Sequence, residues 1–374
     1  MTAHEHEKVF FYCCPPTSNY AAFQHHLICL GEEFKALEIP IYSDIDHWKL
    51  SPNQDEYLFQ YDPKIGPEDC SIVIIHDEWL LTGRPLPENL FHPQRNYRTV
   101  YLDAADGVKT DAFTPEFRQF DFIFRTHFNG NTCYPENFYP WAFGLSNRIL
   151  KQTEFPLDFQ QRKPQILVNF RANKHPHSVR KFVYNSFFEK SQKLFSVENY
   201  TDRDNAQTLD PDDALQCIQT GGRHFPAYYK RLQESLACAC FGGFFVSPFP
   251  KDQSLLVSRL TKRFIAAAVI KTNRIVQWDS WRFWEAIAAG SVVFHIDLDK
   301  YGAVLPVMPQ NWKHYVGVDL DNMDAAIAKI ANNPEILEAI SIQGREWARE
   351  HYNPASTALR FLETVSQKSV STHV

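Results

Sequence analysis

The sequence predicts an α/β protein with two domains, each built around a parallel β-sheet that helices cover on both faces. Its strand-like segments are continuous apolar runs, such as 71–75 (SIVII) and 166–170 (ILVNF). Helix-length segments separate these runs, which is typical of parallel strands that are buried on both faces. At 374 residues the chain also has the length of two ordinary domains.

The polar segment 151–164, which carries Pro156 and Pro164, is the best candidate for a linker between the domains. Beyond it the α/β pattern begins again. The predicted division of the chain is a first domain at 1–150, the linker at 151–164, a second domain at 165–350, and a final helix with its tail at 351–374.

In the first half, a helix is predicted at 21–37, because Phe23, Leu27, Leu30 and Phe34 share one helical face. The strands predicted around it are 9–14, 39–42, 71–75, 99–102 and 122–124.

In the second half, helices and strands continue to alternate. The predicted strands are 166–170, 236–241, 274–278, 291–296 and 314–318. The predicted helices are 179–190, one that starts at 211–214, 228–235, 281–289, 323–332, 334–351 and 355–365. The insert 244–271 holds a helix-like run at 255–270, which fits either a flap over a cleft or an attachment helix.

Composition excludes several classes of protein. The net charge of −6, with no basic cluster that overrides it, predicts no nucleic-acid partner. No apolar run reaches the roughly 18–20 residues that span a bilayer. The eight cysteines form no CxxC pair and no metal-ligand spacing, which indicates reduced thiols in a cytoplasmic protein without a metal site. Peripheral attachment to a membrane stays open.

Polar residues gather directly after the strands of the first half, where ligands bind in open α/β sheets. Turn-forming or structural roles are the alternative for each of them. His25 and His26 lie in the first helix, and one of them could act as a general base. The residues after the strands are Thr17, Ser18, His76, Asp77, Asp103, Asp106, Arg125 and His127.

The stretch 274–299 (RIVQWDSWRFWEAIAAGSVVFHIDLD) predicts a strand, a helix and a strand with short turns. Asp279 or Ser280 is expected to cap the helix, and Gly290 to end it. Apolar residues surround most of this helix, yet Arg282 and Glu285 lie three positions apart on it. They form either a structural ion pair or a ligand site. In the second case Arg282 and the helix N-terminus would hold a diphosphate, and Glu285 would accept ribose hydroxyls.

Two other segments suit a phosphate group. Arg171 ends the strand at 166–170, and the loop that follows is rich in Lys, His and Arg and runs to Arg180. A solvated basic loop is the alternative. The pair Gly242 and Gly243 follows the strand at 236–241, where the lack of side chains would let a ligand approach the backbone.

The order Ser280, Arg282, Glu285-Ala286, Gly290 and then the apolar strand 291–296 resembles the donor-binding motif of GT-B glycosyltransferases, in particular the exostosin-like and related families. The ending at 345–365 resembles the last GT-B helices. The resemblance implies two Rossmann-like domains that face each other across a cleft, with a C-terminal helix that crosses back to the N-terminal domain.

The resemblance also implies a function. A nucleotide-sugar donor, with UDP as the expected nucleotide, would bind the second domain without a metal or other cofactor, and an acceptor (a glycan, a lipid or a small molecule) would bind the first. If the reaction inverts configuration, Asp103, Asp106 or His25 is the expected base. The expected donor-binding residues are Arg282, Glu285, Ser280, Asp279, Arg171, Arg180, Gly242 and Gly243.

Two other functions stay open. One is a non-catalytic protein that binds a nucleotide or a sugar on the same fold. The other is a GT-A-like transferase in which Asp297 and Asp299, a DxD pair, hold a divalent metal. A dehydrogenase is disfavoured, because no GxGxxG follows the first strand.

Overall fold

The computed structural model describes residues 7–15, 24–106, 114–170, 178–184, 186–200, 209–246 and 274–367. Within these ranges the chain forms one largely parallel sheet, one fully parallel sheet and a separate two-stranded ribbon. In the described residues, no helix is long and apolar enough to cross a membrane.

The first sheet has eight strands in the order β3-β4-β2-β1-β5-β6-β7-β8. All neighbouring pairs are parallel except β3 with β4. Its strands are β1 (Val9–Phe11), β2 (Ile41–Ser43), β3 (His47–Lys49), β4 (Tyr57–Tyr61), β5 (Ile72–His76), β6 (Arg98–Asp103), β7 (Phe122–Arg125) and β8 (Phe138–Pro140).

The second sheet has five strands, all parallel, in the order β10-β9-β11-β14-β15. Strands β12 and β13 pair with each other in an antiparallel ribbon. These strands are β9 (Lys163–Val168), β10 (Ser196–Asn199), β11 (Ser235–Ala239), β12 (Phe244–Phe245), β13 (Ile275–Val276), β14 (Val292–Ile296) and β15 (Val316–Val318).

Helices connect the strands and cover the sheets. They are α1 (His25–Ala36), α2 (Asp77–Leu81), α3 (Asn147–Gln152), α4 (Val179–Tyr184), α5 (Phe187–Ser191), α6 (Pro211–Gln219), α7 (Pro226–Glu234), α8 (Trp281–Ala288), α9 (Met323–Asn332), α10 (Ile336–His351) and α11 (Pro354–Ser366).

The last helix returns to the first half of the chain. Ala358, Phe361 and Leu362 of α11 are buried in the core that also contains Phe34 of α1. The rings of Phe34 and Phe361 lie 5.8 Å apart. The predicted crossing of a C-terminal helix back to the N-terminal sheet is therefore confirmed.

Several predicted elements differ in the structure. Strands β3, β4, β8, β10 and β12 were not predicted. Strands β3, β8 and β10 are edge strands, β4 is next to an edge, and β12 belongs to the ribbon, and continuous apolar runs are not required at these positions. The predicted strand 274–278 is reduced to Ile275–Val276 and lies outside the parallel sheet. The predicted helix 179–190 is two helices, α4 and α5. The predicted helix at 255–270 lies outside the described residues.

Candidate functional site

The residues that follow β6 and β7 of the first sheet meet the residues that follow β13 of the two-stranded ribbon. The ring Nδ1 of His127 accepts a hydrogen bond of 3.1 Å from the backbone N–H of Asp279. The carboxylate of Asp106 lies 3.7 Å from Nε2 of His127 and is hydrogen-bonded to the side chain of Gln277. Since open α/β sheets bind ligands beyond the carboxyl ends of their strands, this junction is the candidate site.

Two guanidinium groups lie on the side of the second sheet. The Cζ atoms of Arg180 and Arg282 are 5.2 and 5.6 Å from the ring centre of Phe170, which follows β9. Nε of Arg282 donates to the side chain of Asn169, and Nη2 donates to its backbone carbonyl at 3.2 Å. Among the described residues, no carboxylate forms a salt bridge with Arg282. The structure thus brings together two of the predicted anion-binding residues.

The first turn of α8 differs from the prediction that Asp279 or Ser280 caps it. Ser280 occupies the N-cap position without a side-chain cap, and within the described part of the chain its buried Oγ has no hydrogen-bond partner. Asp279 Oδ1 accepts from the indole N–H of Trp284 at 2.8 Å, and Oδ2 accepts from the backbone N–H of Phe143 at 3.0 Å. Burial raises the pKa of Asp279 to about 6. Asp279 therefore fastens α8 to the segment that precedes α3, and its donor-binding role stays a prediction.

Glu285 has partners that the sequence did not indicate. Its Oε1 lies 2.8 Å from Nδ1 of His224, and its Oε2 accepts a hydrogen bond of 3.0 Å from the hydroxyl of Tyr228. Burial raises the pKa of Glu285, but His224 and Tyr228 outweigh it and hold the value below the ordinary one. Glu285 makes no direct ion pair with Arg282. The two are connected through Asn169, which bonds both Arg282 and Tyr228.

This network, through His224, Tyr228 and Asn169, joins segments far apart in the sequence, so no local pattern could have shown it. The carboxylate of Glu285 accepts hydrogen bonds from the hydroxyls of Tyr228 and Tyr229, lies beside His224 and is 4% exposed. Its predicted contact with a ribose stays a prediction and would need one of these donors to move.

Gly242 and Gly243 allow two backbone segments to pack closely together. A Cβ on Gly243, whose φ is +93°, would lie 2.5 Å from the carbonyl oxygen of Val276, and a Cβ on Gly242 would lie 3.1 Å from that of Trp278. The pair lets the segment before α8 pack against the end of β11. Contact with a donor stays a prediction for both glycines, and Arg171 lies outside the described residues.

The three candidate bases lie in different surroundings. Asp103 is buried in an ion pair with Arg125 of the neighbouring strand. Nε2 of His25 lies 3.2 Å from the carbonyl oxygen of Gly144, within hydrogen-bond distance. Burial lowers the pKa of His25 to about 3. Asp106 is half exposed and lies at the junction described above, next to His127, Arg180 and Gln277. Burial raises the pKa of Asp106, and Arg180 opposes that rise.

A group of buried polar side chains lies behind this junction. Both ring nitrogens of His76, both carboxyl oxygens of Asp77 and Nε2 of His127 make no hydrogen bond within the described structure. Buried polar atoms are nearly always paired, so such a concentration is typical of a functional site or of bound water. Glu78, which the sequence analysis did not select, extends the group; the polar run His76-Asp77-Glu78 after an apolar strand was the available signal.

Glu78 gives the group a testable pH dependence. Burial raises its pKa to about 8, while Gln24 and Arg84 oppose that rise. A carboxyl whose folded-state pKa is raised stabilises the fold below its unfolded pKa of about 4.3, and this stabilisation is lost as the pH rises through 8. Glu78→Gln should therefore raise the free energy of unfolding relative to wild type at pH 9 more than at pH 5, by on the order of 1 kcal/mol or more. Urea titrations at both pH values measure it, and an equal effect at both would contradict it.

The DxD pair lies in the turn after β14. Oδ2 of Asp297 accepts from Nδ2 of Asn311 at 3.1 Å, and Asp299 is exposed. In the part of the chain that the structure describes, no group of three or more His, Cys, Asp or Glu side chains is arranged to hold a metal ion.

The fold is similar to solved glycosyltransferase structures at low sequence identity. An α-glucosyltransferase in complex with UDP-glucose and DNA containing an abasic site has a TM-score of 0.54 and 10% identity, covering 96% of this chain and 99% of that one. The same kind of enzyme with UDP and a 13-mer DNA containing an A:G mismatch has a TM-score of 0.55 and 11% identity, over 96% and 100% of the two chains. The α-glucosyltransferase in complex with UDP has a TM-score of 0.52 and 10% identity, covering 96% of this chain and 100% of that one.

These likenesses confirm the predicted fold class, two α/β domains of the GT-B type. No protein-family model matches the chain, and no curated protein sequence matches it significantly. The exostosin-like assignment is thus not confirmed.

The prediction that the protein has no nucleic-acid partner is wrong. Structures of the same fold and length hold DNA, including one with a 13-mer that contains an HMU base. The physical reason is that net charge describes the whole surface, whereas a nucleic acid contacts only one face of a protein. A net charge of −6 therefore does not remove nucleic acids from consideration.

Proposed function

We propose that the protein is a glycosyltransferase that moves a sugar from a nucleotide-sugar donor, with UDP as the nucleotide, to an acceptor. The observation that carries the proposal is the guanidinium of Arg282, which has no carboxylate partner among the described residues and lies beside Arg180 at the start of α8. The unpartnered Oγ of Ser280 lies at the same helix end. Solved structures of the same fold hold UDP or UDP-glucose, which supports the choice of donor.

The arrangement suits the departure of a nucleoside diphosphate. As the bond from the anomeric carbon to the diphosphate breaks, negative charge develops on the leaving oxygen. Arg180, Arg282 and the N-terminal amides of α8 are fixed dipoles and charges that stabilise this oxygen without reorganising. This role needs no metal, and we propose that the reaction is metal-independent.

The acceptor is proposed to bind at the first sheet. Asp106 is the proposed base if the configuration inverts: its carboxylate takes the hydroxyl proton as the acceptor oxygen bonds to the anomeric carbon. A raised pKa brings a carboxylate closer to the value that favours a base near neutral pH. Asp103 is less suited, because Arg125 already occupies its carboxylate.

Several finer points belong to the proposal. Glu285 is proposed to reach the ribose, and Arg171 to extend the phosphate site. The domain boundaries 1–150, 151–164, 165–350 and 351–374 are proposed on the alternation of apolar runs. Kinship with the exostosin-like transferases rests on the motif at 280–290 alone.

Turnover of UDP-sugars by the full chain tests the function. UDP-glucose and other UDP-, GDP-, ADP- and dTDP-sugars are screened by thermal shift, and release of the free nucleotide is then measured with glycan, lipid, small-molecule and DNA acceptors. We expect a UDP-sugar to bind and turn over, with unchanged rates in EDTA. Binding without any turnover would favour the non-catalytic alternative. Loss of activity in EDTA, restored by Mg²⁺ or Mn²⁺, would contradict the metal-free reaction and point to Asp297 and Asp299.

A further inference from the structure

Asn169, which directly follows β9, holds the guanidinium of Arg282 at two points. Nε of Arg282 donates to the side-chain oxygen of Asn169, and Nη2 donates to its backbone carbonyl at 3.2 Å. Two of the three nitrogens of a planar group are thereby fixed. Among the described residues, Nη1 has no hydrogen-bond partner, and Arg282 is only partly buried, so this nitrogen stays available to a ligand.

The orientation of the Asn169 amide follows from its partners. An arginine only donates hydrogen bonds, so the atom of Asn169 that faces Nε of Arg282 is the oxygen. The amide nitrogen is then the atom that donates to the hydroxyl of Tyr228, with which Asn169 is hydrogen-bonded. That hydroxyl in turn donates to the carboxylate of Glu285 at 3.0 Å. Asn169 and Tyr228 thus connect a cation to a carboxylate through hydrogen bonds that polarise one another.

These contacts hold Arg282 without neutralising it. A carboxylate in the place of Asn169 would also fix the side chain, but it would compete with an anionic ligand for the same N–H groups. The neighbouring Phe170 adds a second support, since its ring centre lies 5.6 Å from Cζ of Arg282. An aromatic face attracts a cation and uses none of its N–H groups. The positive charge of Arg282 is therefore ordered and still open to an anion.

We propose that Asn169 is a positioning residue, which holds the guanidinium of Arg282 in place for a diphosphate and acts on that ligand only through Arg282. This rests on the proposed function, in which the diphosphate belongs to a nucleotide sugar. The physical basis is conformational entropy. An arginine that is already ordered in the free protein loses less rotamer freedom when the ligand binds.

The first test is the Nε–H signal of Arg282 in NMR spectra of the ligand-free full chain with isotope-labelled arginine. The loss of one signal in Arg282→Ala identifies it. The hydrogen bond to Asn169 should slow the exchange of this proton with water. We expect exchange to be about tenfold faster in Asn169→Ala, the change typical of losing one hydrogen bond to a charged group. Equal exchange rates in wild type and Asn169→Ala would overturn the proposal.

The second test is calorimetric titration with UDP and with inorganic pyrophosphate, which isolates the diphosphate from the nucleoside. Asn169→Ala should weaken both by about threefold to tenfold, the cost of ordering one long side chain on binding. The double variant Asn169→Ala/Arg282→Ala should bind no more weakly than Arg282→Ala alone, because residues that act as a unit are not additive. Asn199→Ala is the matched control: this exposed asparagine ends the neighbouring strand β10, and its loss should leave binding unchanged.

Two results of the titrations would overturn the proposal. One is wild-type affinity in Asn169→Ala, even with a lower thermal midpoint, which would make Asn169 a structural residue only. The other is additive losses in the double variant, which would mean that Asn169 contacts the ligand itself. If Asn169→Ala does not fold, Asn169→Ser decides by the same measurements, because a serine hydroxyl is too short to reach Nε of Arg282.

The outcomes also separate this proposal from the proposed function. Binding of UDP and pyrophosphate with the expected dependence on Asn169, but without turnover of any nucleotide sugar, would contradict the transferase function and leave the role of Asn169 standing. Turnover together with wild-type affinity in Asn169→Ala would do the reverse. A chain that binds neither UDP nor pyrophosphate would contradict both.

Discussion

Replacement of Arg282 by alanine is expected to weaken UDP binding by about tenfold to a hundredfold and to lower donor turnover at least as much. Charge-assisted hydrogen bonds to a phosphate contribute about 1.5–3 kcal/mol each, and the Arg282 guanidinium has no carboxylate among the described residues to compensate it. The thermal midpoint should change little, since within the described structure the side chain forms hydrogen bonds with Asn169 alone and lies near Phe170. Calorimetric titration with UDP and the rate of nucleotide release measure the two effects.

Two further variants sharpen this test. Arg282→Lys should retain part of the affinity, because it keeps the charge but loses the two-pronged geometry of the guanidinium. Lys190→Ala is the matched control: Lys190 is an exposed cation in the same half of the chain, paired with Asp324 at 2.6 Å, and its loss should leave UDP binding unchanged. If Arg282→Ala binds UDP as tightly as wild type, the diphosphate site is misplaced and the proposed function loses its main support.

Removal of Arg125 alone is expected to destabilise the fold by about 3–5 kcal/mol, because it leaves the buried carboxylate of Asp103 without its partner. The double variant Asp103→Leu/Arg125→Met should recover much of that loss, since replacing both members of a buried pair by apolar residues is often close to neutral. Urea unfolding of wild type, the two single variants and the double variant gives the coupling energy, which should exceed 1 kcal/mol.

The same four proteins decide the role of Asp103. If Asp103 only pairs with Arg125, the stable double variant should keep the turnover of the donor and of any identified acceptor. Loss of acceptor transfer with normal UDP binding would instead restore Asp103 as the base in place of Asp106. Additive free energies in the cycle would contradict the ion pair.

Local patterns in the amino-acid sequence predict the class of fold, which the structure confirms, and they single out Arg282, where the anion site is proposed. Continuous apolar runs such as 71–75 and 166–170 indicate strands that are buried on both faces of a sheet. The residues of each run are enough to predict this burial. The helix α9 at Met323–Asn332 and the end of α8 before Gly290, whose φ is +74°, follow from local rules of periodicity and capping. Arg282 stood out from the local pattern because it and Glu285 are charged residues on a helix whose other residues are apolar.

The tertiary structure alone decided which side chains work together. His224, Tyr228 and Asn169 contact Glu285 or Arg282 but lie roughly sixty to more than a hundred positions away from them in the sequence. Only the folding of distant segments around α8 brings these side chains together. Likewise Asp103 and Asp106 look alike in the sequence, but Asp103 pairs with Arg125, whereas Asp106 lies beside His127, Gln277 and Arg180. The physical reason is that an apolar pattern depends on local burial, whereas the partner of a charge depends on which distant segment lies against it.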